Sequence, residues 1–147
     1  MFMGEYSHSL DKKGRIIVPS SFRQVLTEKY EDKFVITRGL DNCLSVYPPD
    51  EWKEIEVKLS KLPITNKNAR VLKRFLTSGA IECVLDKQGR IMIPQNLRSY
   101  AGITHDVVLI GVSEKIEIWS KEKWETHSKK AEESLEENLQ ELGEFKI

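Results

Sequence analysis

The sequence has few cysteines and no long apolar run, and each shortage excludes a class of protein. Its two cysteines, Cys43 and Cys83, stand far apart and form no Cys-x-x-Cys pair. We therefore expect neither a disulfide framework nor a zinc site, and both thiols are predicted to fill a core as small apolar groups. The longest apolar run, Val107 to Val112, is interrupted by Gly111 and is far too short to span a membrane.

Net charge is also lacking, because 23 basic and 23 acidic residues cancel, and this at first argues against a nucleic-acid partner. From Ser120 onward, however, there are five basic and eight acidic residues, so the tail carries −3 and the preceding 119 residues carry +3. A mildly basic body permits DNA binding through local patches without requiring it. The first residues lack a basic stretch followed by an apolar one, so we interpret the chain as cytoplasmic.

Motifs for catalysis are scarce as well. His8, His105 and His127 are isolated and have no second ligand at metal spacing. His8, Ser9 and Asp11 supply the residue types of a catalytic triad, but neighbours along one strand do not converge. A glycine-rich phosphate loop is missing too. We predict that the chain is not an enzyme and that it uses no metal and no cofactor.

What the sequence does contain is one nine-residue motif that occurs twice. Asp-Lys-Lys-Gly-Arg-Ile-Ile-Val-Pro begins at Asp11, and Asp-Lys-Gln-Gly-Arg-Ile-Met-Ile-Pro begins 75 residues later at Asp86. Gly14 and Gly89 can adopt positive φ at little cost, as a tight turn requires. The two aspartates can accept hydrogen bonds from their own turn. Each copy is therefore predicted to form a hairpin turn that leads into a buried strand, which ends at the proline.

The repeat extends beyond the motif, since Arg23 matches Arg98 at the same offset and the order of predicted elements is the same in both copies. Each copy has an extended segment, the turn, a strand, a short helix and two further strands. The strand after the turn is predicted to run from Ile16 to Val18 in the first copy and from Ile91 to Ile93 in the second, and Gly102 is predicted to cap the second copy's helix. One copy is too small to bury a core alone, so two copies are predicted to share a barrel with interlocking strands. We predict an α+β protein, mostly β, with four parts: a first unit 5–47, a helical linker 48–79, a second unit 80–119 and a C-terminal acidic helix 120–147.

Two helical segments, the linker and the tail, carry notable charge. In the linker, one helix is predicted to begin at Pro49 and a second to run from about Asn66 to Ser78, with Gly79 as its stop. The second helix of the linker is predicted to present a basic face, which could meet the acidic tail or a neighbouring subunit, contact DNA, or stay solvated; its cations are Lys67, Arg70, Lys73 and Arg74. The Glu-rich segment from Lys121 to Leu142 has only a thin apolar stripe, too sparse for a coiled coil of its own. It is predicted to be a helix that lies on its own barrel or on a neighbour's.

With these residues in view, the sequence resembles the MraZ family over nearly the whole chain, weakening after about Glu125. The resemblance rests on Met-Phe-Met-Gly-Glu-Tyr at the start, on both copies of the motif, and on Arg-Phe-Leu-Thr-Ser-Gly-Ala from Arg74 to Ala80. Each unit is also similar to the AbrB-type DNA-binding unit, in which a strand, a turn, a strand ending in Ile-x-Ile-Pro and a helix follow one another.

The resemblance implies both a fold and a function. Two AbrB-like units of βαβ type would form one swapped-hairpin-like, double-psi-like barrel, and the chains would assemble into a ring-shaped homo-oligomer. The ring would bind short direct repeats in the promoter of the division and cell-wall gene cluster and regulate its transcription, as a repressor. The implied partners are double-stranded promoter DNA and further copies of the chain, with no membrane, and the implied location is the nucleoid in the cytoplasm. The family's Asp-x-x-x-Arg motif falls on Asp11 with Arg15 and on Asp86 with Arg90.

We therefore predict DNA-binding residues in both turns, namely Lys12, Lys13, Arg15, Lys87 and Arg90, with the loops shaped by Asp11, Gly14, Asp86 and Gly89. Arginine bonds O6 and N7 of guanine bidentately, so Arg15 is the first candidate for reading a base, while Lys12 and Lys13 are candidates for holding phosphates. Two alternatives stay open: Arg15 and Asp11 could form a purely structural pair, and the loop of Arg90 could face a neighbouring subunit.

A function of another class also stays open. The chain could be a ring-forming scaffold whose loops bind protein rather than DNA, and its zero net charge is the best argument for this reading. Association with promoter DNA that weakens with salt would favour the regulator, whereas a salt slope near zero would favour the scaffold.

Overall fold

The computed structural model describes residues 1–145, so the last two residues of the predicted acidic helix 120–147 lie outside the described part. Residues 1–145 form eight strands and five α-helices, and none of the helices in this part of the chain is long and apolar enough to cross a membrane. In chain order they are β1 Glu5–Ser9, β2 Arg15–Ile17, α1 Ser20–Tyr30, β3 Lys33–Arg38, β4 Leu44–Tyr47, α2 Pro49–Ser60, α3 Lys67–Gly79, β5 Ile81–Val84, β6 Arg90–Met92, α4 Gln95–Ala101, β7 Asp106–Val112, β8 Lys115–Ser120 and α5 Lys121–Leu142.

The strands of the two repeats interlock. Six of them form an antiparallel sheet in the order β1-β7-β8-β4-β3-β5, and β2 pairs with β6 in a separate two-stranded ribbon. Every strand of the first repeat thus pairs with one of the second: β1 with β7, β2 with β6, β3 with β5 and β4 with β8. The predicted interlocking of strands between the two units is confirmed, and the α+β class with it.

The pairing pattern has approximate two-fold symmetry. Exchanging the repeats turns the β1–β7 pair into β5–β3, whereas β2–β6 and β4–β8 map onto themselves. Ile16 pairs with Ile91, its own equivalent at the 75-residue offset, so the approximate axis passes through the centre of the ribbon. Because the axis lies there, the turn before β2 and the turn before β6 must lie on either side of it.

The predicted hairpin is limited to the turn itself. The Asp11 N–H donates to the Arg15 carbonyl oxygen at 2.9 Å, but β1 then pairs with β7 while β2 leaves to pair with β6. The strand also ends at Ile17 rather than at the predicted Val18, whose N–H donates to Gly89 O at 3.0 Å in the other repeat. Pairing across the repeats prevails over a local hairpin because it buries Ile16 and Ile91 together.

One core joins both repeats and holds the ribbon onto the sheet. It contains Ile16 and Ile91 from the ribbon together with buried aliphatic and aromatic side chains of the large sheet and of α1 and α4. Cys43 is buried in a smaller cluster with Trp119, as predicted, whereas Cys83 is only half-buried and packs against the edge of the main core. Burial raises the pKa of Cys43 to about 12 and that of Cys83 to about 11. Both thiols therefore stay protonated at neutral pH.

The linker helices begin as predicted, but Gly79 ends α3 for a different reason. The Asn66 side chain accepts from the Ala69 N–H and caps α3. Gly79 was predicted as a stop, and it is the last residue of α3, yet it does not adopt positive φ. A Cβ there would lie 3.1 Å from Arg38 Cγ and 3.1 Å from Thr37 Oγ1. Glycine thus lets the helix end approach β3 closely, where a Cβ would be tightly packed.

The C-terminal helix contacts the large sheet near its beginning. Ser120 caps α5 by accepting from the Lys123 N–H at 3.2 Å. Trp124 packs edge-to-face on Trp119 at 5.3 Å between ring centroids, and His127 lies 4.8 Å from the same ring. No residue of α5 is buried, and its main contacts are with β7 and β8. The first turns of α5 therefore lie on the large sheet of the same chain.

Candidate nucleic-acid interface

The first turn is organised by one carboxylate. Asp11 Oδ1 accepts from the backbone N–H groups of Lys13 and Arg15, both at 2.9 Å, and Oδ2 accepts from Arg15 Nε at 2.7 Å. Gly14 adopts a φ of +81°, which few other residues tolerate, and its N–H donates to Asp11 O. Hydrogen bonds from the backbone N–H and from the side chain of Arg15 hold the pKa of Asp11 below its ordinary value. The carboxylate is thus kept ionised as the centre of the turn.

The second turn repeats this arrangement. Asp86 Oδ1 accepts from the backbone N–H groups of Gln88 and Arg90 at 2.9 and 2.8 Å, and Oδ2 accepts from Arg90 Nε at 2.9 Å. Gly89 has a φ of +75°. Hydrogen bonds from Arg90 again lower the pKa of Asp86. Two turns of the same shape therefore result from two copies of Asp-x-x-Gly-Arg.

The two turns lie side by side and are bonded to each other's strands. Ile93 N–H donates to Gly14 O at 2.9 Å, the counterpart of the bond from Val18 N–H to Gly89 O. Arg90 Nη1 lies 3.8 Å from Asp11 Oδ2, which links the turns directly. We call residues 11–15 and 86–90 together the paired-loop surface, because the fold presents them as one face.

The cations of the paired-loop surface differ in exposure. The three lysines, Lys12, Lys13 and Lys87, are exposed. Only 27% of the Arg15 side chain and 24% of the Arg90 side chain is exposed, since both lie against carboxylates. The ion pair between Asp11 and Arg15 that sequence reasoning left as an alternative is therefore present.

Arg15 and Arg90 differ in the number of carboxylates that they contact. Arg90 faces two carboxylates, those of Asp86 and Asp11, whereas Arg15 uses only its Nε with Asp11. Within residues 1–145 the terminal Nη atoms of Arg15 make no hydrogen bond or ion pair. Asp11 therefore orients Arg15 and leaves its two outer nitrogens available to a ligand.

Two further arginines lie beneath the turns, and the sequence analysis did not name them as site residues. A Cβ on Gly14 would lie 2.8 Å from Arg98 Cζ, and a Cβ on Gly89 would lie 3.0 Å from Arg23 Cζ, so each guanidinium contacts the turn of the other repeat. The Nε atoms of both arginines are buried and have no hydrogen-bond partner in the described chain. The match of Arg23 with Arg98 at the 75-residue offset was the signal that could have revealed them.

The whole site is strongly positive although the chain is neutral. Its two carboxylates are outnumbered by seven cations, a local charge of +5, and these cations are Lys12, Lys13, Arg15, Arg23, Lys87, Arg90 and Arg98. Residues 1–145 contain no group of three or more histidine, cysteine, aspartate or glutamate side chains placed to hold a metal ion. The chemistry that this surface offers is recognition of an anion by lysine and arginine.

Comparison with known proteins agrees with the duplicated site. The family model described as "MraZ protein" matches residues 1–75 and, a second time, residues 76–145. The chain belongs to the MraZ family. Among its relatives, the "Transcriptional regulator MraZ" of Natranaerobius thermophilus is 56% identical and that of Caldanaerobacter subterraneus subsp. tengcongensis is 55% identical, each over 100% of both chains. The protein of the same name from Halothermothrix orenii is 58% identical over 93% of both chains.

Membership of the MraZ family confirms the predicted resemblance over the chain. All three of these relatives carry the name of a transcriptional regulator. The double match of the MraZ model reflects the same duplication that places the two Asp-x-x-x-Arg turns side by side.

Proposed function

We propose that the chain is a sequence-specific DNA-binding regulator of transcription that contacts double-stranded promoter DNA through the paired-loop surface. The observation that carries the proposal is the concentration of seven cations around two adjacent turns in a chain of zero net charge. DNA is the anion that suits an extended surface of this kind, because its phosphates are many and regularly spaced. The names of the MraZ relatives support the same reading.

The exposed lysines and the half-buried arginines would contact different parts of the DNA. Lys12, Lys13 and Lys87 are free to follow the phosphate backbone, which supplies affinity without sequence choice. Arg15 would read guanine, since Asp11 holds its Nε and leaves both outer nitrogens for O6 and N7. Arg90, engaged by two carboxylates, would contribute less to base reading.

Assembly into a ring would give this small surface its strength. Three exposed lysines bind weakly alone, but several copies of the paired-loop surface on one ring would act together at high effective concentration. A cyclic ring repeats its surfaces head to tail, which favours direct repeats about one helical turn, or about 10 bp, apart. Lys13 in one turn and Gln88 in the other make the two loops of a copy different, so each copy has a direction along the DNA.

The regulated promoter would be that of the division and cell-wall gene cluster. A ring that occupies several successive sites there would exclude RNA polymerase, so repression is the expected outcome. Such a regulator acts at the nucleoid, in the cytoplasm.

The experiment is a titration of promoter DNA, measured by fluorescence anisotropy between about 50 and 200 mM salt, a range over which phosphate contacts weaken binding strongly. Arg15→Ala and Arg90→Ala are compared with wild type, and Lys53→Ala on α2 serves as a control for a cation outside the site. Sedimentation of each variant shows whether its assembly survives. We expect Arg15→Ala to lose most of its preference for promoter over scrambled DNA, and Arg90→Ala to lose less.

Two results would overturn the proposal. A logarithmic salt slope near zero for the wild type would mean that phosphates are not contacted, and the protein-binding scaffold would then be favoured. Normal promoter preference of Arg15→Ala at moderate salt would confine Arg15 to a structural role beside Asp11.

A further inference from the structure

The second half of α5 carries charge of one sign without a partner. Residues 131–144 include six glutamates and no lysine or arginine, and the last turn of the helix has no basic residue. None of the ion pairs within residues 1–145 involves α5. Carboxylates near a helix C-terminus are unfavourable, because the helix dipole is negative there. A cationic partner from outside the chain would relieve this repulsion.

The same half of α5 exposes an apolar stripe. Ala131, Leu135, Leu139 and Leu142 follow one another at spacings of four, four and three residues, so they share one side of the helix. Leu135 is 55% exposed and Leu142 is 62% exposed. The 22 residues of α5 extend for about 33 Å, and the helix is anchored near its start by Trp124 and His127. The stripe is therefore left for another molecule.

Helix α3 presents the complementary surface. Its inner side packs on β3, and four cations lie together on its outer side: Lys67, Arg70, Lys73 and Arg74. Val71, beside them, is 56% exposed. Arg70 Nη1 donates to Ile64 O at 2.9 Å, but no ion pair within residues 1–145 uses any of the four. The sequence left open whether this face meets the acidic tail, and within one chain the two form no ion pair.

We propose that the second half of α5 from one copy docks on the outer face of α3 from the next copy, and that this contact closes the ring. The inference rests on the proposed ring. Glu132 and Glu136 flank the apolar stripe on one side and Glu141 on the other, over about 13 Å of helix. The cations from Lys67 to Arg74 span about 10 Å, so two turns of each helix match. Because the two surfaces differ, the contact is head to tail, which is the kind that builds rings.

The test uses two opposite charge reversals. One variant carries Glu132→Lys, Glu136→Lys and Glu141→Lys, and the other carries Lys67→Glu, Lys73→Glu and Arg74→Glu; Arg70 is kept because it bonds Ile64 O. Sedimentation velocity and native mass spectrometry measure the assembly without DNA. Each variant alone is expected to fall to the 17.0 kDa of one chain. An equimolar mixture of the two variants is expected to assemble like the wild type. In the mixture, each α5 with reversed charge can dock on an α3 with reversed charge.

A matched control reverses three exposed glutamates elsewhere, with Glu28→Lys, Glu54→Lys and Glu114→Lys, and is expected to assemble like the wild type. Loss of assembly in the α5 variant but not in the α3 variant would mean that α5 docks on a surface other than α3, and would overturn the proposal. So would a mixture that stays dissociated, or two variants that both assemble normally. If the wild type itself sediments as one chain, the ring fails together with this contact, while DNA binding by the paired-loop surface is judged separately by its salt slope.

Discussion

Replacing Asp11 with asparagine distinguishes two possible effects of Asp11 on DNA binding. One is the orientation of Arg15, and the other is the negative charge of the carboxylate. The asparagine Oδ1 can still accept from the backbone N–H groups of Lys13 and Arg15, so the turn keeps its shape. Its amide group takes the place of Oδ2, however, and cannot accept from Arg15 Nε, whose bond to Asp11 is 2.7 Å. Arg15 is therefore released, while the surface loses one negative charge.

The two accounts of the site predict changes of opposite sign. If only net charge matters, Asp11→Asn binds all DNA more tightly, because a carboxylate that repels phosphates has gone. If Asp11 orients Arg15 toward a base, the variant loses the discrimination that a bidentate arginine–guanine contact provides, about 1–3 kcal/mol or about 5- to 150-fold. Affinity for scrambled DNA is expected to stay level or to rise slightly.

The assay is fluorescence anisotropy with promoter and scrambled duplexes at one fixed salt concentration, since affinities compared at different salt have no meaning. Asp86→Asn is the matched control, because Arg90 still has Asp11 within 3.8 Å after Asp86 is changed. A smaller loss of discrimination is expected for that variant. Tighter promoter binding by Asp11→Asn, with the preference for promoter intact, would show that Asp11 does not orient Arg15 for base recognition.

Three further predictions concern the loops. Lys12→Ala should lower the logarithmic salt slope of promoter binding by about 0.9 per DNA-bound copy of the chain, and an unchanged slope would remove Lys12 from the phosphate contacts. Gly14→Ala should lower the free energy of unfolding by about 1–3 kcal/mol in urea denaturation, because its φ is +81° and the new Cβ would lie 2.8 Å from Arg98 Cζ. Gly143→Ala, with a φ of +61° and nothing within 4 Å, is the control and should lose less stability. The pKa of Asp11 and that of Asp86 are lowered from 3.8 in the folded chain, so their contribution to stability is present above that pH and lost as the pH falls further. Urea denaturation near neutral pH and near pH 3 measures this loss, which should be smaller in the Asp11→Asn, Asp86→Asn double variant; an equal loss would assign it to other carboxylates.

The repeat was the part of the fold that the sequence could predict. The spacing of Asp11 and Gly14, copied at Asp86 and Gly89, indicates two similar turns because it depends only on local chemistry. The start of α2 at Pro49 and the C-cap of α4 at Gly102, with a φ of +66°, are local signals too, and both predictions are confirmed. Interlocking strands followed from the small size of each unit.

The remaining features depend on contacts between residues distant along the chain. Pairing of β2 with β6 rather than β1 is decided by the shared core around Ile16, which no local pattern shows. Arg98 reaches the turn of Gly14 only because the repeats are interleaved. In the sequence, Gly79 indicates the end of a helix. In the structure, its lack of a side chain matters because β3 lies so close to it. The division into parts at 5–47, 48–79, 80–119 and 120–147 and the roles of the DNA-binding residues stay predictions.

A structure of the assembled protein bound to its promoter DNA tests the central claim most directly. We expect Lys12, Lys13 and Lys87 to lie at the phosphates, Arg15 to lie in the major groove, and each paired-loop surface to face the duplex. A complex in which those turns are enclosed between subunits while the duplex lies on the outer face of α3 would contradict it.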